Sequence, residues 1–148
     1  MVAASLFVAN LVLATLLTGL IWCIQVVHYP LMAEVGAAQF QRYHALHSTL
    51  ISYVVVVPML MELGLAWLLV WRRPPGVSLT LVLGCAALAV VVWLATFGLS
   101  VPLHARLAQG YDRAALTQLV TTNWVRTAAW SLRCGLLVYG LLRMLDRS

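Results

Sequence analysis

Apolar residues run along the chain in four long blocks with no alternation of period two. The blocks are roughly Ala4–His28, Leu46–Trp71, Val77–Val101 and Leu116–Leu142. Each exceeds the about 20 residues that cross a bilayer as a helix. Backbone groups in a hydrocarbon core must pair within the protein, so helices or a closed barrel are the two ways to span it. Unbroken apolar runs exclude the barrel. Short polar breaks separate the blocks. Tyr29-Pro30 is expected to end the first, and Arg72-Arg73-Pro74-Pro75-Gly76 forms a turn. Proline stops helices and glycine permits the reversal. Pro102 is expected to end the third block, and Asp112 to cap the helix of the fourth. Short connections make neighbouring helices antiparallel. The expected fold is all-α: one domain over residues 1–148, an integral membrane antiparallel four-helix bundle.

Composition agrees. The chain has 148 residues, of which 64% are hydrophobic and 9% charged. A soluble domain carries about 25% charged residues. So little charge cannot cover a surface in water, and the expected partner is the lipid bilayer. The first block lacks a basic leader and is too long for a cleaved signal, so it reads as a retained span. The formal charge is +5, and every basic residue is Arg. No basic run occurs, which argues against nucleic acid. Arg72, Arg73, Arg143 and Arg147 fall on the side of the termini, and Arg42, Arg106 and Arg113 on the other. That asymmetry expects an inner (plasma) membrane protein with both termini cytoplasmic. Trp67, Trp71 and Tyr139 on one side, and Tyr29, Tyr43, Tyr111 and Trp124 on the other, read as interfacial belts. Cys23, Cys85 and Cys134 form no CxxC pair and read as small buried residues. Gly64, Ala66, Gly84, Ala86, Ala87 and Gly135 read as contacts for close helix packing. Pro58 is expected to kink the second span.

Polar groups inside spans are costly, and three sets stand out. His28, His44, His47 and His104 all fall at the end of the bundle away from the termini. His44 and His47 are one helical turn apart and can face the same way. Imidazole binds metals and moves protons near neutral pH. A metal or haem site on these four, a hydrogen-bonded group without metal, and unrelated interfacial histidines all remain open. The cofactor is iron, copper, haem or none. The second set is the stripe Asn123, Arg126, Trp130 and Arg133, spaced three, four and three along one face of the last helix. Arginine keeps its charge in a protein, so this stripe must face the interior, a carboxylate or water. The third is Glu62, the one acid within a span. It lies at a depth similar to that of Arg133, and the two are expected to form a buried ion pair.

The segment Val101-Pro102-Leu103-His104, then Leu107, then Leu119 through Asn123-Trp124-Val125-Arg126-Thr127, with Trp130 and Arg133, resembles the anthrone-oxygenase-like family of small four-helix membrane proteins. Members often carry Pro-Leu-Asn after the third span, where this chain has His104. The resemblance covers short pieces of the second half only. It implies oxygenation of a hydrophobic aromatic substrate without a metal, through His44 or His47, His104 and Trp124. Asn123 and Arg126 would stabilise an enolate-like anion. The competing readings are a small transporter or channel-like protein with Glu62, Arg126 and Arg133 along its path, and a structural assembly subunit in which Glu62 and Arg133 only pack the bundle. A homo-oligomer is compatible with either.

Overall fold

In the computed structural model, which describes residues 1–146, the chain is all-helical, and the described residues contain no strand. Four helices are long and apolar enough to cross a membrane: α1 Val2–Ala33, α2 Ala37–Trp71, α3 Leu79–Leu107 and α4 Arg113–Leu145. Each helix packs against two others, α1 on α2 and α4, and α3 on α2 and α4. The outer surface is covered with large apolar side chains such as Leu16, Val57, Leu94 and Leu132. The buried centre, by contrast, contains nine polar or charged residues. This inversion suits a lipid surrounding. The expected position of Arg147 lies outside the described residues.

The helices run past the boundaries that hydropathy alone gives. Tyr29-Pro30 does not end α1, and Pro102 does not end α3. In both, a five-residue π turn precedes the proline: Ile24–His28 in α1 and Thr96–Ser100 in α3. The Tyr29 amide donates to the Ile24 carbonyl, and the Val101 amide donates to the Thr96 carbonyl. A proline ring normally collides with the carbonyl four residues earlier. Here those carbonyls, of Val26 and Gly98, lie within the wider turns, so the helix continues. Likewise α2 runs through Pro58 as one element.

The two halves share one element order: long helix, π turn, proline, short helical extension, glycine, long helix. Pro30-Leu31-Met32-Ala33 corresponds to Pro102-Leu103-His104-Ala105, and Gly36 to Gly110. Few other residues correspond, which hides the repeat from inspection of the sequence. Asp112 caps α4, its Oδ1 accepting from the Ala115 amide at 3.0 Å, and Ser78 caps α3 in the same manner. The Ala115 amide and the Arg106 guanidinium, 2.7 Å away, hold the Asp112 carboxyl below its ordinary range.

Of the expected packing positions, Ala66 and Ala86 are buried in one cluster and Gly84 faces Leu136, but the others do not pack. Gly64 and Gly135 face outward with nothing near, and Ala87 is exposed. Instead, a Cβ on Gly140 would lie 2.7 Å from the ring of Phe7, which is fully buried. Gly76, at φ +86, turns the chain directly against the Arg143 carbonyl. Of the cysteines, Cys85 is buried, Cys134 is half-buried and Cys23 is exposed. The expectation for Cys23 is thereby corrected: its position on α1 points outward, where a small apolar side chain is equally at home in lipid.

Candidate functional site

The stripe on α4 is buried throughout: Asn123, Arg126, Trp130 and Arg133 all face inward, together with Thr127. It supports two separate polar networks.

The first surrounds Arg133, which is fully buried. Its Nη1 donates to Glu62 Oε1 at 2.5 Å, its Nη2 to Asn10 Oδ1 at 2.6 Å and its Nε to the Cys85 carbonyl at 3.0 Å. Trp130 Nε1 donates to the other Glu62 oxygen at 3.0 Å. Asn10 Nδ2 donates to the Glu62 backbone carbonyl. One positive and one negative charge thus meet in a set that uses residues from all four helices. Every guanidinium nitrogen has a partner. Asn10 was not singled out by the sequence, although a lone Asn in the otherwise apolar first span is the signal that marks it.

The second network lies nearer the α1–α2 connection and begins at Gln25. Its Nε2 donates to the Val120 carbonyl at 3.1 Å, and its Oε1 accepts from Asn123 Nδ2 at 2.7 Å. Asn123 Oδ1 accepts from Arg126 Nε at 2.9 Å and also from Nη2. Arg126 Nη2 donates to the Tyr29 hydroxyl at 3.3 Å, and Nη1 lies 3.5 Å from Thr96 Oγ1. Tyr29 Oη is 3.4 Å from His104 Nε2, and His104 Nδ1 is 2.9 Å from His44 Nε2.

Arginine can only donate, so the Tyr29 oxygen accepts from Arg126. The Tyr29 proton is then free to be donated to His104 Nε2. With that bond made, the His104 proton is on Nδ1 and is donated to His44 Nε2. In this tautomer His104 Nε2 carries a lone pair, oriented from behind by His44. His44 is buried against Phe40, its ring 5.9 Å from that ring, and its Nδ1 has no hydrogen-bond partner.

His28 and His47 stack face to face at 4.3 Å, and the His47 ring is 5.9 Å from that of His104. All four imidazoles are therefore brought to one end of the bundle. They do not assemble as the expected metal ligands: among the described residues no three His, Cys, Asp or Glu side chains are arranged to hold a metal ion. The physical reason is visible in the contacts. His44 and His104 direct nitrogens at each other, and His28 and His47 present ring faces, so the four lone pairs share no common point.

Two aromatic assignments also change. Trp124, placed at the site by the resemblance and in an interfacial belt by its position, is exposed and packs edge-on against Trp22 on the outer surface, with ring centres 5.6 Å apart. Tyr29, expected in an interfacial belt, is buried and joins Arg126 to His104. The π turn accounts for this. More residues per turn shift the register, so Gln25 and Tyr29 share the inner face and His28 moves toward the edge.

Arg126, Tyr29, His104 and His47 border a cavity of about 160 Å³ formed by residues of all four helices. Its walls are largely apolar, with Ile21, Met59 and Trp130 among them, and Thr96 and Ser100 add hydroxyls. Ser52 and Val101 line it and are also exposed on the outer surface, so it opens sideways between α2 and α3. A cavity of about 150 Å³ holds a benzene ring. No known protein family, curated protein or solved structure matches the chain.

Proposed function

We propose that the chain is a multi-pass protein of the inner membrane, an antiparallel bundle with cytoplasmic termini, and that its second network is an oxygenase-type site for a small hydrophobic substrate. The observation that carries this reading is the convergence of a donor-fixed arginine, a tyrosine hydroxyl and an oriented histidine on one apolar cavity that opens toward lipid. Contacts in reversed order support the antiparallel arrangement: Thr15 meets Cys134, Thr18 meets Trp130, and Gln25 meets Val120.

The residues suit proton abstraction next to a carbonyl. A substrate enters between α2 and α3 with one ring in the cavity. As the Tyr29 hydroxyl turns from His104 to the substrate oxygen, His104 Nε2 takes a proton from the acidic carbon, and His44 stabilises the resulting imidazolium by accepting from Nδ1. The oxygen that gains negative charge is held by Tyr29 and by Arg126, which Asn123 and Gln25 already fix. The electron-rich carbon then reacts with dioxygen. For anthrone, the simplest substrate that the family resemblance suggests, the ring methylene becomes a carbonyl while one dioxygen is consumed and one water released. Trp124 is not needed. The Glu62–Arg133 network, neutral and internally satisfied, serves the packing of the bundle.

The test is anthraquinone formation and oxygen uptake by the purified protein in detergent with anthrone, measured above the uncatalysed background. His104→Ala is expected to lower the rate by about 10²–10⁴. Wild-type rates in His104→Ala would remove the assignment.

A further inference from the structure

Arg126 and Arg133 are both buried on the same face of α4, but their charges are treated differently. Arg133 is neutralised by Glu62. Arg126 has no carboxylate partner among the described residues. Its partners are an amide oxygen and two hydroxyls, which accept hydrogen bonds but bring no charge. Other acids are committed or remote: Asp112 holds Arg106, and Glu34 lies in the α1–α2 connection. A cation in an apolar bundle without a counter-charge is strongly unfavourable. The chain nevertheless holds it in place through hydrogen bonds to Asn123 and, behind it, Gln25, with Nη1 reaching only a distant hydroxyl beside the cavity.

We propose that the cavity takes an apolar molecule bearing one carboxylate, which supplies the counter-charge that Arg126 lacks. The head group sits between Arg126 Nη1, the Tyr29 hydroxyl and Thr96 Oγ1. The apolar body lies along Ile21 and Met59 and leaves through the opening at Ser52 and Val101. Such a molecule is a substrate or an occupant of the resting site. The inference uses the cavity of the proposed site but none of its oxygen chemistry, so failure of anthrone oxidation leaves it standing.

Binding is read by equilibrium dialysis of the purified protein in uncharged detergent against 1-naphthoate and its neutral counterpart, 1-naphthalenemethanol. The wild type is expected to bind one naphthoate per chain about tenfold or more tighter than the alcohol, since hydrogen bonds to charged groups are the stronger class. Arg126→Gln should bind the two equally, and Arg126→Lys should keep part of the preference. Val55→Trp, which fills the cavity and leaves Arg126 and its partners in place, should lose both ligands. Equal affinities in the wild type would overturn the proposal, as would a preference for naphthoate that survives in Val55→Trp or Arg126→Gln. The wild-type comparison and Val55→Trp keep the test decisive if Arg126→Gln does not fold. Displacement of bound naphthoate at lower concentration by oleate than by benzoate would assign the carboxylate to membrane fatty acids. The reverse order would assign it to a soluble aromatic acid.

Discussion

At the scale of single residues, the buried charges separate stability from chemistry. Glu62→Met leaves the Arg133 guanidinium buried without its counter-ion, and Arg133→Met does the same to the carboxylate. Each single change is expected to cost about 3–5 kcal/mol, while the double change Glu62→Met with Arg133→Met should cost much less, because breaking a buried pair is worse than removing it. A double-mutant cycle on thermal unfolding in detergent checks this, and additive losses would show that the two charges do not act as a pair. Tyr29→Phe is expected to behave in the opposite way. It removes one hydroxyl that links Arg126 to His104, so folding should change by only about 1 kcal/mol while anthrone oxidation falls at least several-fold. The inward stripe on α4 was legible because its spacing follows one helical face, and so was the depth match of Glu62 and Arg133. Tyr29 was not. Its direction depends on a π turn, and no hydropathy pattern distinguishes a turn of five from a turn of four. The arrangement of the histidines was hidden for a related reason: sequence places four of them at one end but says nothing of where their nitrogens point.

At the scale of elements, the prolines and glycines set the geometry. With Pro102 replaced by Ala, the ring that the π turn accommodates is gone, and Thr96–Ser100 can relax toward an ordinary α-helix. That relaxation would rotate His104 relative to Tyr29. Pro102→Ala is therefore expected to keep or raise thermal stability and to lose activity; unchanged turnover would mean that the π turn does not position His104. Gly140→Ala presses a methyl group onto buried Phe7 and should destabilise by about 1–3 kcal/mol, whereas the same change at outward-facing Gly135 should be neutral or mildly stabilising. Melting curves of the two variants decide. Helix number and type followed from the length of the apolar blocks. Helix ends did not, because a Tyr-Pro or Val-Pro step ends a regular helix but not one that widens before it. The packing glycine was missed because a small residue in a span is equally compatible with either face, and only the partner, here Phe7, tells them apart.

At the scale of the whole molecule, the outer surface and the loops carry the topology. The outward apolar side chains of all four helices require lipid or detergent around them. With α1 of 32 residues and a rise of about 1.5 Å each, the helices exceed the about 30 Å of a hydrocarbon core, so in the proposed bilayer setting they would tilt or their ends would reach the headgroup region. The arginine asymmetry predicts that a cysteine placed at Pro75 reacts with an impermeant thiol reagent only from the cytoplasmic side, and one at Gln109 only from outside, each in a background lacking the native cysteines. The opposite pattern would invert the proposed orientation while leaving the site unchanged.

The matched order of the two halves has a consequence for how the protein is assembled. Each half is a helical hairpin with its own π turn and proline, and the proline-linked position that is Met32 in one half is His104 in the other. In the proposed topology an even number of crossings per hairpin would give both the same orientation, and the chain would amount to two hairpins of like element order written as a single polypeptide. Cut at the exposed link between Arg72 and Arg73, the hairpins should still find each other when co-expressed, with Glu62 on one piece and Arg133 on the other as the lock. A partner carrying His104 and Arg126 would bring the reactive groups, and one carrying His44 and Tyr29 their orientation, so neither piece alone would be competent.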